Sequence, residues 1–149
     1  METLNWVIVI VIGFLTINLI NRSRNYFIQD KGDWHRQQAE DVLTWLLIMY
    51  PIRKKRPMIV IDDSSSELLG EYHYYINVIV IYRRNNKRIK DVLQTTIHEF
   101  FHFYLITSEV KMDLYVRQLN EHGVHDHPQE VLCETMEKVL LKRYLREFQ

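Results

Sequence analysis

The residues of this chain whose types and spacing suit chemistry are His98-Glu99-Phe100-Phe101-His102. On a helix, positions i and i+4 lie on one face, so both imidazoles project together. Two such nitrogens fill two corners of a zinc tetrahedron. Glu99 is offset from His98 by about 100° around the helix. It is poorly placed to ligate beside both histidines. It is well placed to take a proton from a water held between them, the work of a general base. Chance supplies a His-Glu-x-x-His pattern in a chain of this composition only about 0.02 times, so the spacing carries weight. The competing reading is two surface histidines and a solvated carboxylate on an amphipathic helix.

A zinc site of this kind needs a third protein ligand and an open position for water. One known arrangement places a third His six residues after the second, following a glycine. Those positions here are Leu105 and Ser108, which excludes it. The other arrangement uses a Glu on a later helix. Glu130 is preferred, in the first turn of the last expected helix, with Glu134 next and Glu137 last. Glu130 has a competing role. With His127 as N-cap and Pro128 at the first helical position, it falls where a capping box puts a carboxylate.

Other polar residues invite weaker readings. His122, His125 and His127 share one segment, where a solvated loop is favoured over a role in zinc binding or oxyanion stabilisation. His73 stands among strand tyrosines, and one of those hydroxyls is a candidate electrophile facing the metal. Glu109 is expected on the surface. Cys133 is the single cysteine, which excludes an intrachain disulfide and a cysteine-rich zinc site. It is expected as a small buried apolar residue.

The elements that must position these groups follow from periodicity. Trp34 to Tyr50 has apolar residues at helical spacing and is closed by Pro51. Met58–Ile61 is a short strand. Gly70 to Tyr82 predicts a hairpin or one bent strand, broken at Asn85-Asn86. Arg88 to about Thr107 repeats at 3.6 residues and carries the motif. A helix over Lys111 to Asn120 and a last helix opened by Pro128 complete the chain. The expected class is α+β, with a small antiparallel or mixed sheet.

The 149 residues suit one domain with an appendage. Nineteen basic and nineteen acidic side chains give zero formal net charge, so no nucleic-acid partner is expected. Leu4 to Ile20 is almost continuously apolar and uncharged. It is long enough, at the short end, to cross a bilayer as a transmembrane helix. A cleaved signal peptide and a buried strand are the alternatives. Residues 1–24 are therefore expected as a membrane anchor with its flank, and 25–149 as the catalytic domain. Glu2 precedes the run, and Arg22, Arg24, Lys31 and Arg36 follow it. That charge order places the domain in the cytoplasm. The basic turn Arg53-Lys54-Lys55-Arg56 is expected as a solvated loop, with anionic lipid as the sharper alternative.

The segments GEYHYYINVIVIY, TTIHEFFHFY and HPQEVLCETME, within roughly Met58 to Lys138, resemble the zincin metallopeptidases. The likeness is to the gluzincin-like branch, and to its compact ImmA/IrrE or SprT-like domains of bacteria and phages. The resemblance implies Zn2+ held by His98, His102 and a glutamate of the final helix, with Glu99 as base. It also implies a protein or peptide substrate that adds to the strand before the motif helix, taken as an edge strand. Leu132 and Cys133 depart from the pattern, where many members have a second acidic residue and Ala, so Glu130 and Glu134 both remain open. Two alternatives to an enzyme stand beside this: a membrane-tethered interaction or virion protein that keeps the fold without catalysis, and a metal-free helical domain.

Overall fold

The computed structural model describes residues 33–148 of the chain. In order these form α1 (Trp34–Met49), β1 (Met58–Asp62), β2 (Gly70–His73), a 3-10 turn (Tyr74–Ile76), β3 (Val78–Tyr82), α2 (Ile89–Leu105), α3 (Glu109–His122) and α4 (Pro128–Phe148). The result is an α+β arrangement of four helices on a three-stranded sheet. The apolar stretch Leu4 to Ile20 lies outside the described residues. Among those described, no helix is long and apolar enough to cross a membrane.

The sheet order is β1-β3-β2, with β1 parallel to β3 and β2 antiparallel to it. The segment from Gly70 to Tyr82 is thus a hairpin, with Asn77 in the left-handed region at φ 53°. The strand next to the motif helix is β3, and it is central rather than at the edge. Its residues explain this: Val78, Ile79, Val80 and Ile81 are all buried, as suits a strand covered on both faces. Among the described residues, β2 is the edge strand on the antiparallel side.

α2 is the spine. It packs against α1, α4, β2 and β3. Leu93, Ile97, Phe100 and Phe103 enter the core fully buried, beside Leu43 and Leu46 of α1 and Ile79 and Ile81 of β3. Each large side chain buried this way stabilises the fold by about 1.5–3 kcal/mol. The start of α2 is closed by Asp91, whose carboxylate accepts from the Arg88 backbone N–H at 3.0 Å. Its end is closed by Lys54. That ammonium donates to the carbonyls of Phe103 (3.0 Å) and Ile106 (2.8 Å) and lies 4.4 Å from the Phe103 ring centre. These carbonyls belong to the last turn, which has no partners within the helix. The basic turn is therefore not a free solvated run: Lys54 turns inward, and Arg56 pairs with Glu40 of α1.

Candidate metal centre

The 3.6 periodicity of α2 puts its aromatic residues into the core and its motif on the side facing α4. His98 and His102 sit one turn apart with ring centres 5.0 Å apart. Their Nε2 atoms approach to 3.2 Å. α4 brings Glu130 to the same point. Its Oε2 lies 3.1 Å from His98 Nε2, and its Oε1 lies 3.3 Å from His102 Nε2. A tetrahedral site with ligand bonds of about 2.0–2.1 Å separates its ligand atoms by about 3.3 Å. The two imidazoles and the carboxylate therefore converge at spacings close to that value, each imidazole facing a different carboxylate oxygen.

The protons sharpen this. His98 Nδ1 lies 3.2 Å from Glu137 Oε2. A carboxylate only accepts, so Nδ1 donates, and a neutral His98 presents a lone pair at Nε2. Glu130 Oε1 already accepts the Tyr115 hydroxyl at 2.6 Å. With His98 neutral, lone pairs meet lone pairs, so the cluster favours a positive charge at its centre, carried by a proton or by a metal cation. Burial pushes the His98 pKa down, but hydrogen bonds to Glu130 and Glu137 outweigh it and carry the pKa up to about 10. Burial pushes the Glu130 carboxyl up, and bonds from His102 and His98 outweigh that, holding it well below the usual carboxylate range.

Glu99 is buried on the sheet side of the pair, and burial raises its pKa. Gly70 of β2 is what lets the strand lie this close. A Cβ there would stand 2.5 Å from Thr95 Cγ2, 2.7 Å from the Val80 carbonyl oxygen and 3.3 Å from Glu99 Cγ.

α4 places the competing carboxylates differently. Seven residues are two turns with an offset of only about 20°, so Glu130 and Glu137 share the face toward α2. Glu137 backs His98 and accepts from Gln94 as well. Glu134 is turned outward, with its side chain 54% exposed and paired to Lys138 at 3.7 Å. Glu130 does not form a capping box. The cap is His127, whose Nδ1 accepts from the Gln129 N–H at 3.0 Å.

His127 was expected in a solvated loop and is instead fully buried, its Nε2 donating to the Tyr115 carbonyl at 3.1 Å. His122 and His125 are exposed, as is Glu109. His73 is half-exposed and lies 3.3 Å from Glu71. The tyrosine at the centre is Tyr115 of α3, not one from the strands: Tyr72 bonds Asn77, and Tyr82 bonds Glu71.

Cys133 is buried, as expected, with Sγ 3.9 Å from His102 Nδ1. His98, His102 and Cys133 by themselves form a group able to hold a metal ion, with ligand atoms within 4.8 Å. This set and the Glu130 set share both histidines. Glu130 is the better donor. Burial and the charge of Glu130 push the Cys133 thiol far up, and both Nε2 atoms face the carboxylate rather than the sulfur.

A separate open groove of about 510 Å³ runs between Tyr75 and α3, and no residue of the centre lines it. Comparisons with protein-family models, curated proteins and solved structures return no match for this chain.

Proposed function

We propose that this chain is a zinc-dependent metallopeptidase of the zincin type, hydrolysing peptide bonds in a protein or peptide substrate. The observation that carries the reading is the convergence of His98 Nε2, His102 Nε2 and the Glu130 carboxylate at 3.1–3.3 Å, with Glu99 buried alongside. The parts support it: an antiparallel edge strand beside the motif helix, and a later helix carrying the carboxylate as third ligand.

His98, His102 and Glu130 would hold the ion. The chemistry zinc supplies in such a position is Lewis acidity, polarising a carbonyl oxygen and acidifying water toward neutral pH. Glu99 is the general base. Its carboxylate takes a proton from the attacking water as the oxygen–carbon bond forms. It then delivers that proton to the amide nitrogen as the carbon–nitrogen bond breaks. Burial raises its pKa, the direction that makes its carboxylate a stronger base. Glu137 holds the His98 ring in the tautomer that presents Nε2, a carboxylate–histidine pairing that also makes the ring a stronger donor. The outer edge of β2 offers backbone groups to an extended substrate chain. The apolar Leu4 to Ile20 is read as the anchor that keeps this domain beside a membrane, on its cytoplasmic side, which favours a local protein substrate.

Glu99→Gln is the test. It is expected to retain zinc and to lose about 10²–10⁴-fold of the rate of cleavage of an unfolded protein substrate. Undiminished cleavage by the variant would overturn the assignment of Glu99. A wild-type chain that holds zinc but cleaves nothing would favour the non-catalytic interaction protein instead.

A further inference from the structure

Among the described residues, α3 is the α-helix with no buried side chain. Val110 is 77% exposed, and Leu114 and Val116 are also open to solvent. Its fastenings concentrate at one residue. The Tyr115 hydroxyl donates to Glu130 Oε1 at 2.6 Å. The Tyr115 carbonyl accepts from His127 Nε2 at 3.1 Å. The Tyr115 ring lies 4.5 Å from the His127 ring and 5.5 Å from that of His102.

Capping residues mark both ends of α3, and the Ser108 side chain accepts from the Lys111 N–H. Before it, Ser108 is extended at φ −153° and ψ 160°. After it, Gly123 stands at φ +72° and ψ 174°, a conformation that side-chain-bearing residues rarely adopt. An element with little buried surface belongs to the part of a fold that opens first.

We propose that Tyr115 is a positioning residue that couples metal binding to the seating of α3: its hydroxyl fixes the Glu130 carboxylate, and the same bond makes α3 a lid that the bound metal holds closed. This rests on the zinc reading of the centre above. Glu130 has two oxygens with different duties. Oε2 serves His98, while Oε1 serves both His102 and Tyr115. The hydroxyl therefore selects the carboxylate rotamer in which one oxygen faces each imidazole. Partners of this kind typically change metal affinity 10–100-fold. Linkage requires the converse, because coupling free energies are reciprocal. Whatever factor the seated helix adds to metal affinity, the metal adds to the seating of the helix. Lid movement also alters the groove that α3 forms with Tyr75.

The experiment compares full-length wild type with Tyr115→Phe, which keeps the ring and removes the hydroxyl. Zinc affinity is measured by competition with a chromophoric chelator. Amide hydrogen exchange over Glu109–His122 is measured with and without saturating zinc. The expected result is a 10–100-fold weaker zinc affinity in the variant, with the metal-free melting temperature little changed. Zinc is expected to slow exchange across α3 by a comparable factor in wild type and far less in the variant. Equal affinities, or exchange in wild-type α3 that ignores zinc, would overturn the coupling while leaving the zinc site standing. A wild type that binds no zinc would remove the site itself and the coupling with it. The exchange comparison within wild type needs no variant, so it decides the matter even if Tyr115→Phe folds poorly.

Discussion

Two buried polar clusters flank α2, and they are built on opposite principles. The first surrounds Asn86, which is fully buried. Its amide donates to the Leu69 carbonyl at 2.7 Å and the Tyr82 carbonyl at 2.8 Å, while its oxygen accepts the Thr95 hydroxyl at 2.6 Å. Its backbone carbonyl accepts from His35 Nε2 at 2.9 Å. Each donor there meets an acceptor. The second cluster is the His98–His102–Glu130 centre, where, with the histidines neutral, atoms bearing lone pairs face each other at 3.1–3.3 Å. The first cluster is complete as protein and ties loops to the helix. The second would be completed by a cation, as the proposed zinc site requires. A self-satisfied network therefore indicates architecture, and converging acceptors indicate a binding site.

Breaking the first cluster should hurt the fold and spare the metal. Asn86→Ala removes two amide bonds to carbonyls that keep backbone donors and leaves the Thr95 hydroxyl without its acceptor, and is expected to cost about 2 kcal/mol in denaturant unfolding. Zinc affinity of the folded fraction should stay within a few-fold of wild type. A variant that unfolds normally but has lost zinc would erase the distinction between the clusters.

Breaking the second should do the reverse. Glu137→Ala removes the carboxylate behind His98 and is expected to weaken zinc binding by about 10–100-fold, measured by chelator competition. Its metal-free unfolding free energy should fall less than that of Asn86→Ala. If affinity is unchanged, Glu137 is only a packing residue.

The smallest effect belongs to the start of the motif helix, outside both clusters. The side-chain hydrogen bond from Arg88 holds the Asp91 carboxyl below its ordinary value of 3.8. A depressed folded-state pKa adds stability that is complete above the unfolded value and is lost as pH falls through the folded one. Asp91→Asn should therefore lower the melting temperature at pH 7 by no more than about 4 °C. The difference from wild type should shrink below pH 3.8. A difference that persists unchanged into acid would assign the loss to helix packing rather than charge.

The parts legible in the sequence were those set by local spacing. The period of α2 and the i, i+4 placement of His98 and His102 require only the geometry of one helix. Glu130 was legible as a candidate but not as the carboxylate that meets both histidines. Glu134 lies only about 40° from it around the helix, and the docking of α4 on α2 separates them. Glu137 falls on the Glu130 face by the same rule and was undervalued, because its partner, His98 Nδ1, lies on another helix. Tyr115 and His127 were missed for that reason too. A tyrosine on a polar helix and a histidine in a polar segment give no local sign that tertiary packing joins them. Strand order is equally non-local. The apolar run of β3 gave a usable hint of a central strand, yet its place beside the motif helix suggested an edge. Lys54 looked like one charge among four until the end of α2 supplied carbonyls for it.

The central claim is that converging lone pairs on α2 and α4 form a zinc site. The most direct measurement is metal content after the purified chain is loaded with zinc and dialysed, for wild type beside His102→Ala. The account predicts about one zinc per chain in wild type and almost none in the variant. A wild type that retains no zinc, or a variant that retains as much as wild type, would contradict it.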